Sequence, residues 1–222
     1  MNQNLTEIIA IIDKSGSMSS LTSDVIGGLN TFVESQKALP GECNFTLVLF
    51  DSVYKTSYSG AIAYFNPLTP STYAPSGMTA MFDAIGNAID TTGARLAAMD
   101  ESARPGKVIV CILTDGDENS SKEYRGSQIK EKIKVQTDVY SWEFLFLGAN
   151  IDTSVASDGI GIDATNNSAS FLANSRGISN AFACYSSATT DLRINGSYST
   201  TLTGYMTAAD LGIDPVKVAP DL

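Results

Sequence analysis

Asp13, Ser15 and Ser17 stand at alternate positions immediately after the apolar run Ile8-Ile9-Ala10-Ile11-Ile12, with Gly16 between the two serines. The carboxylate offers charge and the hydroxyls offer neutral oxygens. Gly16 lets the backbone curl until alternate side chains face one point, an arrangement suited to a hard cation. A single negative charge holds such an ion weakly, so other segments must contribute. Mg2+ tolerates this because it keeps some of its waters and often takes its last ligand from a bound partner. Two later stretches supply more oxygen: Ser76-Gly77-Met78-Thr79-Ala80 brings a hydroxyl to the start of a helical pattern, and the apolar run Val108–Leu113 ends in Thr114-Asp115-Gly116.

The elements that must carry these residues follow from periodicity. Apolar runs without alternation read as strands buried on both faces, as at the centre of a parallel sheet. Leu21, Val25, Leu29, Phe32, Val33 and Leu39 recur at helical spacing after the first strand, with Ser19 and Ser20 placed to cap that helix. Residues 44–50 form a second buried run, and residues 53–58 alternate and are rich in Tyr and Thr, which predicts an antiparallel edge strand. Pro67, Pro70 and Pro75 make residues 60–78 a long loop that delivers Thr79. A helix is predicted over 79–99, a fourth strand ending at Asp115, and a charged helix holding Ile129, Ile133 and Val135. There follow a fifth strand over 142–147 ending in Gly148-Ala149-Asn150, a short helix over 152–159, a short strand near 168–172 and a last helix over 174–188. The β, α, β alternation predicts an α/β fold, Rossmann-like and doubly wound. Its sheet is mostly parallel with one antiparallel edge strand, and helices cover both faces. Open sheets of this kind place ligands at the carboxyl ends of their strands, where Asp13 and Asp115 fall.

With these segments in order, residues 5–185 resemble the von Willebrand factor A (VWA) domain family. Its metal-ion-dependent adhesion site (MIDAS) combines a D-x-S-x-S loop, a Thr in a second loop and an Asp in a third. Asp13, Ser15 and Ser17, then Thr79, then Asp115 match that pattern. The resemblance implies that Asp13, Ser15 and Ser17 hold Mg2+, with Mn2+ or Ca2+ as alternatives. It implies that Thr79 binds directly or through water, Asp115 mostly through water, and that an open position accepts a Glu or Asp carboxylate from a protein partner. Asp117 and Glu118 are expected as rim charges that repel or select partners.

Composition narrows the rest. The 222 residues carry 14 Lys and Arg against 24 Asp and Glu, a net charge of −10 without a basic cluster, which argues against a nucleic-acid partner. No histidine is present, so His-based acid/base catalysis and His-containing zinc sites are excluded. Cys43, Cys111 and Cys184 are far apart and read as buried free thiols suited to a reducing compartment. No stretch reaches the ~18 apolar residues of a membrane span, and no signal peptide is evident, so a cytoplasmic protein is expected, a virus-encoded intracellular one included. Asp115, Asp117 and Asn119 imitate the start of a calcium loop, but Ser120 and Gly126 occupy positions that need Gly and Glu. A phosphohydrolase built on D-x-D would need an acid where Ser15 stands, so the chain is read as not an enzyme. Residues 1–188 are expected as the domain and 189–222 as a C-terminal extension that is disordered, packs on the domain or docks on a partner, the apolar spacing of Leu192, Ile194, Tyr198, Leu202 and Tyr205 keeping the last two open. An assembly component using the fold as a scaffold is the alternative function. The oligomeric state is not set by the sequence.

Overall fold

The computed structural model describes residues 1–149 and 153–206. Six strands form one sheet: β1 (Asn2–Asp13), β2 (Glu42–Phe50), β3 (Tyr54–Ala61), β4 (Pro105–Thr114), β5 (Glu143–Ala149) and β6 (Ser168–Phe171). Five helices accompany them: α1 (Thr22–Lys37), α2 (Met81–Ala97), α3 (Gly126–Tyr140), α4 (Thr153–Ile160) and α5 (Ser175–Asn195). The strand order is β3-β2-β1-β4-β5-β6, and only β3 runs antiparallel. This is the doubly wound α/β architecture that the alternation of patterns predicts.

The unbroken apolar run of β1 has a direct cause. Ile8, Ala10 and Ile12 face one apolar layer, shared with Val25, Leu29 and Phe32 of α1 and with Ile178 and Phe182 of α5. Ile9 and Ile11 face the other, shared with Ile85 and Ile89 of α2 and Ile129 and Ile133 of α3. Both faces are covered, so no position alternates. α1 and α5 approach so closely that a side-chain carbon on Gly28 would lie 2.2 Å from the Phe182 ring.

Several elements differ from the pattern reading. The first helix ends before Leu39; Gln36 is the buried residue of its last turn, and its amide donates to Ser186 O and Thr190 Oγ1 on α5. Ser19 and Ser20 belong to a 3-10 turn (Gly16–Leu21), and Leu21, not a serine, occupies the cap position of α1. Val135 is exposed, because the buried stripe of α3 is completed by Ile129 and Ile133 alone.

α5 continues past residue 188 to Asn195 and ends at Gly196, whose φ of 78° closes the helix in the left-handed region. Leu192, Leu202 and Met206 are buried in the layer beneath α1 and α5. The part of 189–222 that is described therefore packs on the domain, and the boundary expected at 188/189 falls inside a helix. Asn150, Asp152 and residues 207–222, on which parts of the sequence reading fall, lie outside the described residues. Among the described residues no helix is long and apolar enough to cross a membrane.

Candidate metal centre

β1 and β4 are neighbours, yet the chain leaves β1 toward β2 on one side and returns to β4 on the other. Their carboxyl ends thus flank the point where the winding reverses, the usual ligand position of such sheets. Asp13 is the last residue of β1, and Asp115 follows the last residue of β4.

Asp13 is fully buried and its two carboxylate oxygens are both held: Oδ1 accepts from the Ser15 N–H at 2.7 Å and Oδ2 from the Thr114 hydroxyl at 2.6 Å. Its carbonyl accepts from the Tyr73 hydroxyl at 2.7 Å. Ser15 Oγ lies 3.0 Å from Ser17 Oγ, and Ser17 Oγ donates to Asp115 Oδ1 at 2.6 Å. Four of the five expected residues are therefore linked in one oxygen cluster.

Thr79 reaches the same place by its backbone. Its N–H donates to Asn119 Oδ1 at 2.9 Å, and its carbonyl accepts from the N–H groups of Asn119 and Ser120 at 3.0 and 3.2 Å. A carbon added to Gly116 would lie 3.5 Å from Thr79 Oγ1 and 3.9 Å from Ser17 Oγ. The three loops thus leave between them a small cradle that the absent side chain of Gly116 keeps open.

The loops are tied to one another as well as to the sheet. Gly16 N–H donates to Gly77 O at 3.1 Å, and Ser76 N–H to Lys14 O at 2.9 Å, which pairs the first loop with the second. Gly77 has φ of 72°, and a side chain there would press on Ser52 Oγ, which accepts the Met78 N–H. Asp51 pairs with Lys14, and its carbonyl accepts Ala80 N–H at 2.7 Å. Asp83 on α2 accepts the N–H groups of Lys122, Glu123 and Tyr124, at 2.8 to 2.9 Å, and so fastens the third loop to the helix that follows Thr79.

Burial pushes the Asp13 carboxyl above its ordinary value; hydrogen bonds from Thr114 and Ser15 oppose this, and the charge of Asp115 adds to it. Burial likewise raises Asp115 against the hydrogen bond from Ser17. Among the described residues no cationic side chain pairs with either, Lys14 being engaged with Asp51. Two carboxylates and three hydroxyls gathered here, with Ser17 and Thr79 bordering the cradle, are an all-oxygen donor set with uncompensated negative charge, which fits a hard divalent cation. Among the described residues no group of three or more His, Cys, Asp or Glu could hold a metal ion, so such a site would be rich in hydroxyls.

Glu118 is not a rim charge. Its carboxylate accepts from Phe82 N–H, Ser120 N–H, Ser121 N–H and the Ser121 hydroxyl, at 2.7 to 2.9 Å, and so caps α2. Thr114 and Tyr73 were not among the candidate site residues, though both grip Asp13. Each left a trace: a polar residue ending an apolar strand, and an aromatic stranded among prolines.

The chain matches no family model and no curated protein. Among solved structures it is similar to von Willebrand factor type A from Catenulispora acidiphila, at 16% identity over 82% of this chain and 42% of that one, TM-score 0.55. It is similar to the PilB minor pilin from Streptococcus sanguinis, at 12% identity over 84% and 60%, TM-score 0.56. It is also similar to proximal thread matrix protein 1 from the mussel byssus, at 15% identity over 80% and 44%, TM-score 0.52. The chain spans less than two thirds of the length of each of these. At such identities the likeness speaks to the fold, and with the strand order and the three converging loops it shows that this chain has a von Willebrand factor A fold.

Proposed function

We propose that this protein is a protein-binding module whose binding depends on a divalent cation, Mg2+ in the first place and Mn2+ or Ca2+ as substitutes. Asp13, Ser15, Ser17, Thr79 and Asp115 would hold the ion. The observation that carries this reading is the oxygen cluster Ser15–Ser17–Asp115, closed beneath by the doubly anchored Asp13 and bordered by Thr79 across the Gly116 cradle. When bound, a cation ringed mainly by neutral oxygens keeps enough positive charge to attract a Glu or Asp carboxylate from a partner. The chain's own part is to hold its oxygens in place on three mutually braced loops. Phosphoryl transfer through Asp13 is disfavoured, because both its oxygens are occupied and a serine, Ser15, stands where a D-x-D phosphohydrolase needs its acid.

Thermal unfolding tests the cation. At about 100 times its dissociation constant a ligand stabilises by roughly 2.7 kcal/mol, a rise in melting temperature of about 5–10 °C for a domain of this size. Wild type is expected to show that rise with Mg2+ or Mn2+ over EDTA, and Asp115→Ala to lose it. A wild type indifferent to every cation contradicts the proposal.

A second reading, a scaffold or assembly component, is favoured by the fold likeness to a minor pilin and a thread matrix protein. Because Leu192, Leu202 and Met206 are core residues, the deletion that separates the readings must begin after Met206. Loss of assembly on removing residues 207–222, with cation binding kept, supports the scaffold. Loss of partner capture in Thr79→Ala, with assembly intact, supports the binding module.

A further inference from the structure

Beside the oxygen cluster, and sharing Gly116 with it, lies a cavity of about 250 Å3 lined by Met81 and Phe82 at the start of α2, by Ala156 and Ile160 of α4, and by Asp117 and Glu118. Met81 and Ile160 are buried and Phe82 and Ala156 half-buried, so the floor is apolar, while Asp117 is exposed. The two acids differ in what they are free to do. Glu118 spends its carboxylate on the N-terminus of α2 and on its own loop. Asp117 makes no ion pair among the described residues.

A partner offering only carboxylates would approach a surface of net charge −10 with an unpaired acid next to the docking point, and like charges there oppose capture. A purely apolar side chain would fill the floor but strip water from Asp117 without replacing it. An Arg or Lys side chain answers both conditions, with an aliphatic stem over Met81, Phe82, Ala156 and Ile160 and a cationic head at Asp117.

We propose that the partner segment recognised here carries a basic residue close to its metal-seeking carboxylate, the acid going to the centre formed by Ser15, Ser17, Thr79 and Asp115 and the base entering the Asp117 cavity. This deepens the cation-dependent reading and rests on it. The order of events follows from range: the basic group offsets the protein's field during approach, and the carboxylate commits only at contact.

The test pans a phage-displayed library of random peptides built round a fixed central Asp. The full chain is the target in Mg2+, and bound phage are eluted with EDTA. Wild type is expected to enrich Arg or Lys at a narrow set of spacings from the Asp. Asp117→Ser, checked for wild-type melting in EDTA, is expected to yield EDTA-released Asp peptides without that bias. A synthetic selected peptide should lose affinity for wild type by about tenfold when its basic residue is replaced by Ala, which corresponds to about 1.4 kcal/mol. It should lose almost none for Asp117→Ser. EDTA-released peptides with no basic bias, with an apolar bias instead, or with the same basic bias on Asp117→Ser overturn the cavity assignment and leave the metal centre standing. Absence of EDTA-released peptides from wild type, together with no Mg2+ effect on its melting, overturns both.

Discussion

Asp13 shows how much of a candidate site depends on neighbours, here Thr114 and Tyr73, that lie outside the expected ligand set. Its carboxylate is buried between the Ser15 N–H and the Thr114 hydroxyl, so its direction is set by the fold itself. Replacing Thr114 with Val keeps the volume and removes the donor, leaving a buried carboxylate oxygen unsatisfied. The expected loss is about 2 kcal/mol in urea unfolding, restored in large part by Thr114→Ser. A Thr114→Val protein as stable as wild type would show that the hydroxyl is not what holds Asp13. The five residues with ligand-like oxygens were legible in the sequence because their types and spacing are local. Thr114, Tyr73 and the capping role of Glu118 were not, because each depends on which distant backbone atom the fold brings alongside.

The loops act as braced elements. The second loop, which delivers Thr79, hangs on Asp51: its carbonyl takes Ala80 N–H, and its carboxylate takes Lys14 and the Ser76 hydroxyl. Burial would push Asp51 up, but the hydrogen bond and charge of Lys14, with bonds from Val53 N–H and Ser76, outweigh it and hold the group below its ordinary value. A carboxylate depressed by folding binds fewer protons in the native state than in the unfolded one. Its stabilisation is therefore present above the ordinary value of 3.8 and fades as pH falls through the lower native value. Asp51→Asn is expected to cost stability at about pH 7 and far less at about pH 2. An equal cost at both, measured by urea unfolding, would remove Asp51 from this role. The strands beneath the loops were easy to read, since runs such as Ile8–Ile12 and Val108–Leu113 are apolar on both faces. The last turns of α5 were not: Thr189 and Thr190 interrupt the apolar stripe, and it is contact with Cys111 that takes Thr189 into the interior, while the half-buried Thr190 meets Gln36 of α1.

At the scale of the whole molecule, the sheet order is what makes a site from three unrelated segments. Only when β4 returns beside β1 do Asp13 and Asp115 share one end of the sheet, and only the long loop before α2 brings Thr79 over the same point. The alternation of strands and helices announced this architecture, whereas for residues 189–206 the apolar spacing of Leu192, Tyr198, Leu202 and Tyr205 only kept packing on the domain open among alternatives, because the stretch between these anchors is polar. The most direct measurement of the central claim is diffraction from crystals grown with Mn2+, using anomalous scattering to locate the ion. The account predicts one strong peak between Ser15 Oγ, Ser17 Oγ, Thr79 Oγ1 and the Asp115 carboxylate, absent in Ser17→Ala crystals. A map with no peak there, or with Mn2+ bound only elsewhere, would contradict it.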